Sequence, residues 1–249
     1  MTPLLGRAAA LGGAAVALVS LTITPASAAT GAKSTPVTSL HWAGFTFNVG
    51  HVTGVRAHWT EPAVTGKKGS EEFVWIGIGG WNQTENNIIQ AGTFAYFPSA
   101  SIRNEGVWWE RVPQNPEAQF PRVPAGPGDH ISAAITLLPG KGNRWRMTVD
   151  DTTSGAKFAL TVRFTSMEAY PSFVVEDPDK GAPGPNGPFF PFPHWRSVTF
   201  SSAAVRVRGK WISIVRLSGA LRVNMVRDHK TLATTGAVTK RSAFTVRQK

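Results

Sequence analysis

The sequence predicts an all-β protein, a sandwich of two packed antiparallel sheets of jelly-roll type. Short segments rich in β-branched and aromatic residues recur from about residue 40 almost to the C-terminus, each bounded by Gly, Pro, Asn or Asp. No stretch holds a helical period over three turns. KFALTVRFT (157–165) shows the alternation most clearly: Phe158, Leu160, Val162 and Phe164 point one way, Ala159, Thr161 and Arg163 the other. Strands this closely spaced bury their apolar faces by stacking as two sheets.

In chain order, residues 1–28 read as a secretory signal. Arg7 precedes a small apolar run from Ala8 to about Ile23, and Ala26, Ser27 and Ala28 form the A-x-A cleavage pattern. The run is rich in Ala and Gly and shorter than the ~20 apolar residues of a spanning helix, so no membrane association is expected once it is removed. Residues 29–39 are a short polar segment, and 40–249 form one domain. Its predicted strands are WAGFTFNV (42–49), GVRAHWTE (54–61), EFVWIGIGG (72–80), NNIIQAGTFAYF (86–97), GVWWERV (106–112) and DHISAAITLL (129–138). RWRMTVDD (144–151), the 157–165 run, PSFVVED (171–177), SVTFSSAAVRV (197–207), KWISIVRL (210–217) and RVNMV (222–226) complete the set. Two stretches, 111–129 and 179–193, are too rich in Pro and Gly to pair; they either rim a substrate groove or serve as surface connectors.

The 249 residues, 42% of them hydrophobic and nine of them Trp, suffice for one substantial core. A chain of this size does without the disulfides of small exported domains, and the absence of Cys also removes thiol catalysis and thiolate metal sites. The net charge of +11 implies weak attraction to anionic polymers such as those of a cell wall. Nucleic-acid recognition is not expected, because Lys and Arg are spread along the chain without interleaved aromatics, and Val205, Arg206, Val207 and Arg208 alternate as on a solvated sheet. A monomer is expected.

Gln90 and Glu176 stand out because each lies inside an apolar, strand-like run, where a buried polar side chain costs a few kcal/mol without partners. Strand parity puts Ile88 with Gln90, and Val174 with Glu176, so both polar groups can project from one sheet surface. Gly77, Gly79 and Gly80 leave the backbone bare beside Trp75, which suits either close approach of a ligand or a tight strand crossing. The six His are scattered without ligand spacing, His51 and His58 reading as surface or packing residues; no metal or other cofactor is expected. No GxSxG elbow occurs, and NQT at Asn82 is a glycosylation sequon.

In order along the chain, HWAGF at Trp42, VWIGIGG at Trp75, IIQAG at Gln90, VWWERVP at Glu110 and FVVED at Glu176 resemble the glutamic peptidases, the eqolisin or G1 family. The likeness runs from about Leu40 to near the C-terminus and includes PFPHWRSVTFSSA (191–203). It implies a concanavalin-A-like sandwich whose concave sheet carries a Gln and Glu dyad that cleaves peptide bonds in acid. Gln90 and Glu176 then stand at the catalytic positions, and Trp42, Trp75 and Glu110 at positions lining the substrate site. The other acidic position of the last motif is Ser172 here. Fungal members of the family carry Asp at the position of Gly79, disulfides and an acidic charge. Their absence from this chain points to a mildly acidic working range, and the short stretch between Ala28 and Trp42 leaves little room for an inhibitory pro-segment.

The rival reading is a non-catalytic carbohydrate- or protein-binding module, since the same sandwich binds glycans and Trp-lined faces suit sugars. A glycosidase wants two carboxylates, and residue 90 is an amide.

Overall fold

Apolar residues at every second position have one way to leave water together, and the strands of this chain stack to achieve it. The computed structural model describes residues 33–81, 87–178 and 189–249. The signal reading of 1–28 and the sequon at Asn82 lie outside the described residues. The strands are β1 (Ser34–Ser39), β2 (Trp42–Phe47), β3 (Val52–Thr60), β4 (Glu71–Gly79), β5 (Ile88–Ser99), β6 (Ile102–Val112), β7 (Asn115–Gln119) and β8 (His130–Leu137). They continue as β9 (Arg144–Asp151), β10 (Lys157–Arg163), β11 (Pro171–Glu176), β12 (Ser197–Val207), β13 (Lys210–Ser213), β14 (Ala220–Arg227), β15 (Lys230–Thr235) and β16 (Phe244–Gln248). Among the described residues the only helical element is a 3₁₀ turn at Ile214–Arg216, which ends the predicted strand 210–217 early. No helix there is long and apolar enough to cross a membrane.

The front layer runs β14-β2-β11-β4-β5-β6-β7 and the back layer β10-β9-β8-β3-β12, joined through β16 and β15. β12 belongs to both. Its first half pairs with β16, its second with β3 and β13, and the register breaks between Ser201 and Ala204, where Ser202 takes a φ of 50°. A bulge of this kind lets a strand turn from one sheet into the other. The large core lies between the layers, with Phe45, Phe173, Phe200 and Phe244 meeting Trp59, Trp145, Ile76 and Ile89.

The predicted sandwich is observed, with four strands beyond the predicted set: β1, β7, β15 and β16. The polar segment 29–39 contributes β1, which pairs with β14 in parallel, so the sheets are not antiparallel throughout. The Pro-rich stretch 111–129 contributes β7, and Phe120 beyond it packs edge-on against Phe94, 4.6 Å between ring centroids. That stretch, read as unable to pair, is therefore partly a strand of the front sheet.

Candidate active site

The site is organised around β4. This strand pairs with β5 on one side and β11 on the other, so the two strands carrying Gln90 and Glu176 are separated by one neighbour. Val74, Ile76, Ile89, Ala91, Phe173 and Val175 enter the core between the layers. The intervening residues face the outer side of the front sheet, where Phe73, Trp75, Ile88, Trp108 and Val174 form a second apolar cluster. Gln90 lies opposite Gly77 and Glu176 opposite Phe73, with Trp75 between those two positions of β4.

Trp75 spans the interval. Its Nε1 donates to Glu176 Oε2 at 2.7 Å. At the other end, a Cβ placed on Gly77 would lie 2.9 Å from Trp75 Cζ3 and 3.2 Å from Gln90 Cβ, so the indole rests on a glycine beside Gln90. That closeness is the reason for the bare backbone noted in the sequence. Trp42, opposite Glu176 in β2, packs edge-on against Trp75 with ring centroids 4.9 Å apart. Trp75 is 0% exposed. It therefore does not line a substrate surface as the sequence reading had it: buried under Trp42, it holds the Glu176 carboxyl.

Glu110 is likewise engaged from within. It sits opposite Gln90 in β6 and accepts a hydrogen bond from Gln90 Nε2 at 2.5 Å, which fixes which end of the amide faces it. Gln90 Oε1 is buried with no hydrogen-bond partner among the described residues. Burial raises the Glu110 carboxyl above its ordinary range, with the Gln90 amide pulling the other way. Both Gln90 and Glu176 thus have a dedicated partner on the same sheet face.

Sequence reasoning missed the support beside and beneath this face. Asp177, buried next to Glu176, forms an ion pair with Arg227, whose Nε also donates to the Leu40 carbonyl at 2.7 Å. The second acid of FVVED was the available signal. Between the layers, Glu61 just after β3 and Glu72 of β4 are 4% and 1% exposed. Glu61 Oε2 accepts from Thr93 Oγ1 at 2.6 Å and from Trp59 Nε1 at 3.1 Å, whereas neither carboxyl oxygen of Glu72 has a hydrogen-bond partner among the described residues. Burial pushes Glu61 up to about 8, against the pull of its two donors, and raises Glu72 well above its usual value with Glu61 adding to the effect.

Gly79 has a φ of 100°, and a Cβ there would lie 1.9 Å from the Asn87 carbonyl oxygen. An Asp therefore cannot simply be grafted at this position, as the sequence comparison with fungal members invited. Gly79→Asp is expected to lower the thermal unfolding midpoint sharply or to prevent folding, because backbone strain of ~1–3 kcal/mol adds to the clash. A midpoint within error of the parent in a thermal melt would show that this turn yields.

Among the described residues no three His, Cys, Asp or Glu side chains gather as a metal ion requires. Comparison with known proteins gives a consistent picture. A profile of the Peptidase A4 family matches residues 40–248. The fold is similar to scytalido-glutamic peptidase with a transition state analog inhibitor, at a TM-score of 0.70 and 18% identity over 85% of this chain and 99% of that one. It is also similar to SCP-B, a member of the Eqolisin family of peptidases in complex with the tripeptide Ala-Ile-His, at a TM-score of 0.64 and 16% identity with the same coverage. Aspergilloglutamic peptidase from Aspergillus niger aligns at a TM-score of 0.58 and 22% identity over 72% of this chain and 99% of that one. No curated protein sequence matches significantly. The chain belongs to the Peptidase A4 family, the glutamic peptidases whose motifs its sequence carries in order.

Proposed function

We propose that this peptidase hydrolyses peptide bonds with Glu176 as general base and Gln90 as oxyanion donor, and that it is exported to work outside the cell. The observation that carries the reading is that Trp75 and Glu110, on one sheet face, each fix one of these two side chains. On a flat sheet the four-residue offset between their register positions is about 13 Å. Two long side chains reaching over the indole close most of it, and a scissile peptide with its attacking water occupies the rest. Glu176 takes a proton from that water as it attacks the carbonyl carbon, and returns it to the amide nitrogen as the C–N bond breaks. One N–H of Gln90 is held by Glu110; the other stabilises the tetrahedral oxyanion and, being an amide, does so at any pH.

Two of the indoles on this face weigh against the rival role of a glycan-binding surface and leave the partly buried Trp42 as the ring a sugar could meet. Trp75 and Trp108 are 0% and 2% exposed and offer no ring for sugars to stack on. For export, the support is Arg7, the apolar run and the A-x-A pattern of residues 1–28.

The direct test is incubation of the mature protein with an unfolded protein across pH 3–7, read by the appearance of new termini. No cleavage at any pH would end the catalytic reading. Within it, Gln90→Ala is expected to lower kcat by about 10²-fold to 10³-fold with little change in KM, since an oxyanion donor acts in the transition state. A rise in KM alone would make Gln90 a substrate contact.

A further inference from the structure

A cleft of the described surface lies away from this site, on the outer face of the back sheet. It has a volume of about 430 Å³ and is walled by β3, β12, β13, the 3₁₀ turn and the loop before β16. It exists because β12 bulges there on its way between sheets. Ser202 and Ser242 both take left-handed φ values, 50° and 54°, and the Ala203 amide donates to the Ser242 carbonyl at 3.1 Å. Ser213 and Ser242 share a hydrogen bond that ties β13 to the floor.

Three arginines, Arg56, Arg216 and Arg241, line the cleft, and none has an acidic partner among the described residues. Unpaired guanidiniums held around one concavity are a site for anions, since each offers a planar fork of donors that stays charged at every working pH. The basic character continues beyond the cleft. On the same face Arg146 of β9 leads through Thr136 and Gly54 to Arg206, whose guanidinium is anchored on the Gly209 carbonyl. The nearest acid in this register, Asp150, sits opposite Lys157.

Trp211 decides the class of anion. It is 37% exposed, but the Arg56 guanidinium carbon lies 4.5 Å from its ring centroid, so that indole positions a cation and does not present an open platform for a nucleobase. The remaining lining is hydroxyl-rich, with Ser202 and Ser213 able to exchange hydrogen bonds with sugar hydroxyls. We propose that this cleft binds an anionic polysaccharide, its acidic groups on Arg56, Arg216 and Arg241 and its hydroxyls on the serines. The cleft and the candidate active site open on opposite faces of the sandwich, so a chain docked there leaves the outer face of the front sheet open to substrate.

The experiment measures affinity for polygalacturonate and heparin, which carry carboxylate and sulfate on sugar chains, beside poly-glutamate and single-stranded DNA of similar charge. Its readout is binding and stands apart from the peptidase reading. The expected result is preference for one or both polysaccharides, with affinity falling about tenfold for each guanidinium removed in Arg56→Ala and Arg241→Ala, as for charge-assisted hydrogen bonds. Trp211→Ala should weaken binding as well by releasing Arg56. Arg196→Ala, an exposed arginine elsewhere, should leave it nearly unchanged. Thermal midpoints equal to the parent's verify folding, and the solution rate of peptide cleavage should not move. Equal losses from Arg196→Ala, or poly-glutamate or DNA bound as tightly as the polysaccharides, would overturn the site and leave only diffuse charge attraction.

Discussion

Glu176→Gln is expected to reduce cleavage of an unfolded protein by about 10²-fold to 10⁴-fold while leaving the fold unchanged, the range that separates a positioned general base from none. The substitution keeps the shape and leaves a carbonyl oxygen to accept the Trp75 Nε1–H bond that now measures 2.7 Å. What it removes is the capacity to take a proton. The outer cluster of Phe73, Trp75, Ile88, Trp108 and Val174 does not depend on that proton, so the thermal midpoint should hold. Both quantities are needed together, because a loss of rate with a loss of structure says nothing about chemistry. An unchanged midpoint with undiminished cleavage would remove Glu176 from the mechanism, however well Trp75 holds it.

The strands were readable where one face is buried and the other wet. In β10, buried Phe158 and Val162 alternate with exposed Ala159 and Arg163 as the pattern predicts, and the same parity put Gln90 and Glu176 on one face. Strands without that contrast were missed, and so was the short β16, FTVRQ, although its buried Phe244 and Val246 alternate with Thr245 and Arg247. β1, with the sequence STPVTS, and β15, with KTLATT, are polar runs recruited by pairing with β14, and pairing partners leave no trace in local periodicity. β7 was hidden inside a Pro-rich loop. In the site, the two central residues and their three companions were legible from motifs, but their relations were not. That Trp75 belongs to Glu176 follows from the register of β4 with β11, and that Glu110 belongs to Gln90 from the register of β5 with β6. Glu61 and Glu72 were illegible for another reason: a Glu at a strand end or start reads as solvated unless the opposite sheet is known to cover it.

Those two buried acids make the fold itself sensitive to pH, and more strongly than the basic surface does. The thermal midpoint is expected to fall by on the order of 10 °C between pH 5 and pH 7. Glu61 is pushed up to about 8 by burial and, less, by the charges of Glu105 and Asp129, while Thr93 and Trp59 pull it down. Glu72 is raised by burial and then by Glu61 and Asp177; Asp177 itself is pushed up to about 6 by burial despite Arg227, and Glu71 to about 7. Glu105, in turn, is paired with Arg103 at 2.7 Å. In each raised group the folded state holds its proton more tightly than the unfolded chain. Below about pH 4 both states are protonated and the groups make no pH-dependent contribution. As pH rises past that point the unfolded chain ionises first, and each proton retained in the core costs about 1.4 kcal/mol per pH unit until the folded group also titrates. Self-repulsion of a chain at +11 acts in the opposite direction, when surface carboxylates become protonated below about pH 4. Stability should therefore peak near pH 4–5 and decline toward neutrality. Glu72→Met tests the cause: neither Glu72 oxygen has a hydrogen-bond partner to lose among the described residues, so an apolar side chain of similar length should stabilise the protein most at pH 7, less at pH 4, and flatten the slope. A midpoint that does not vary between pH 5 and pH 7 in the parent would show that Glu61 and Glu72 titrate in the folded protein much as they do in the unfolded chain.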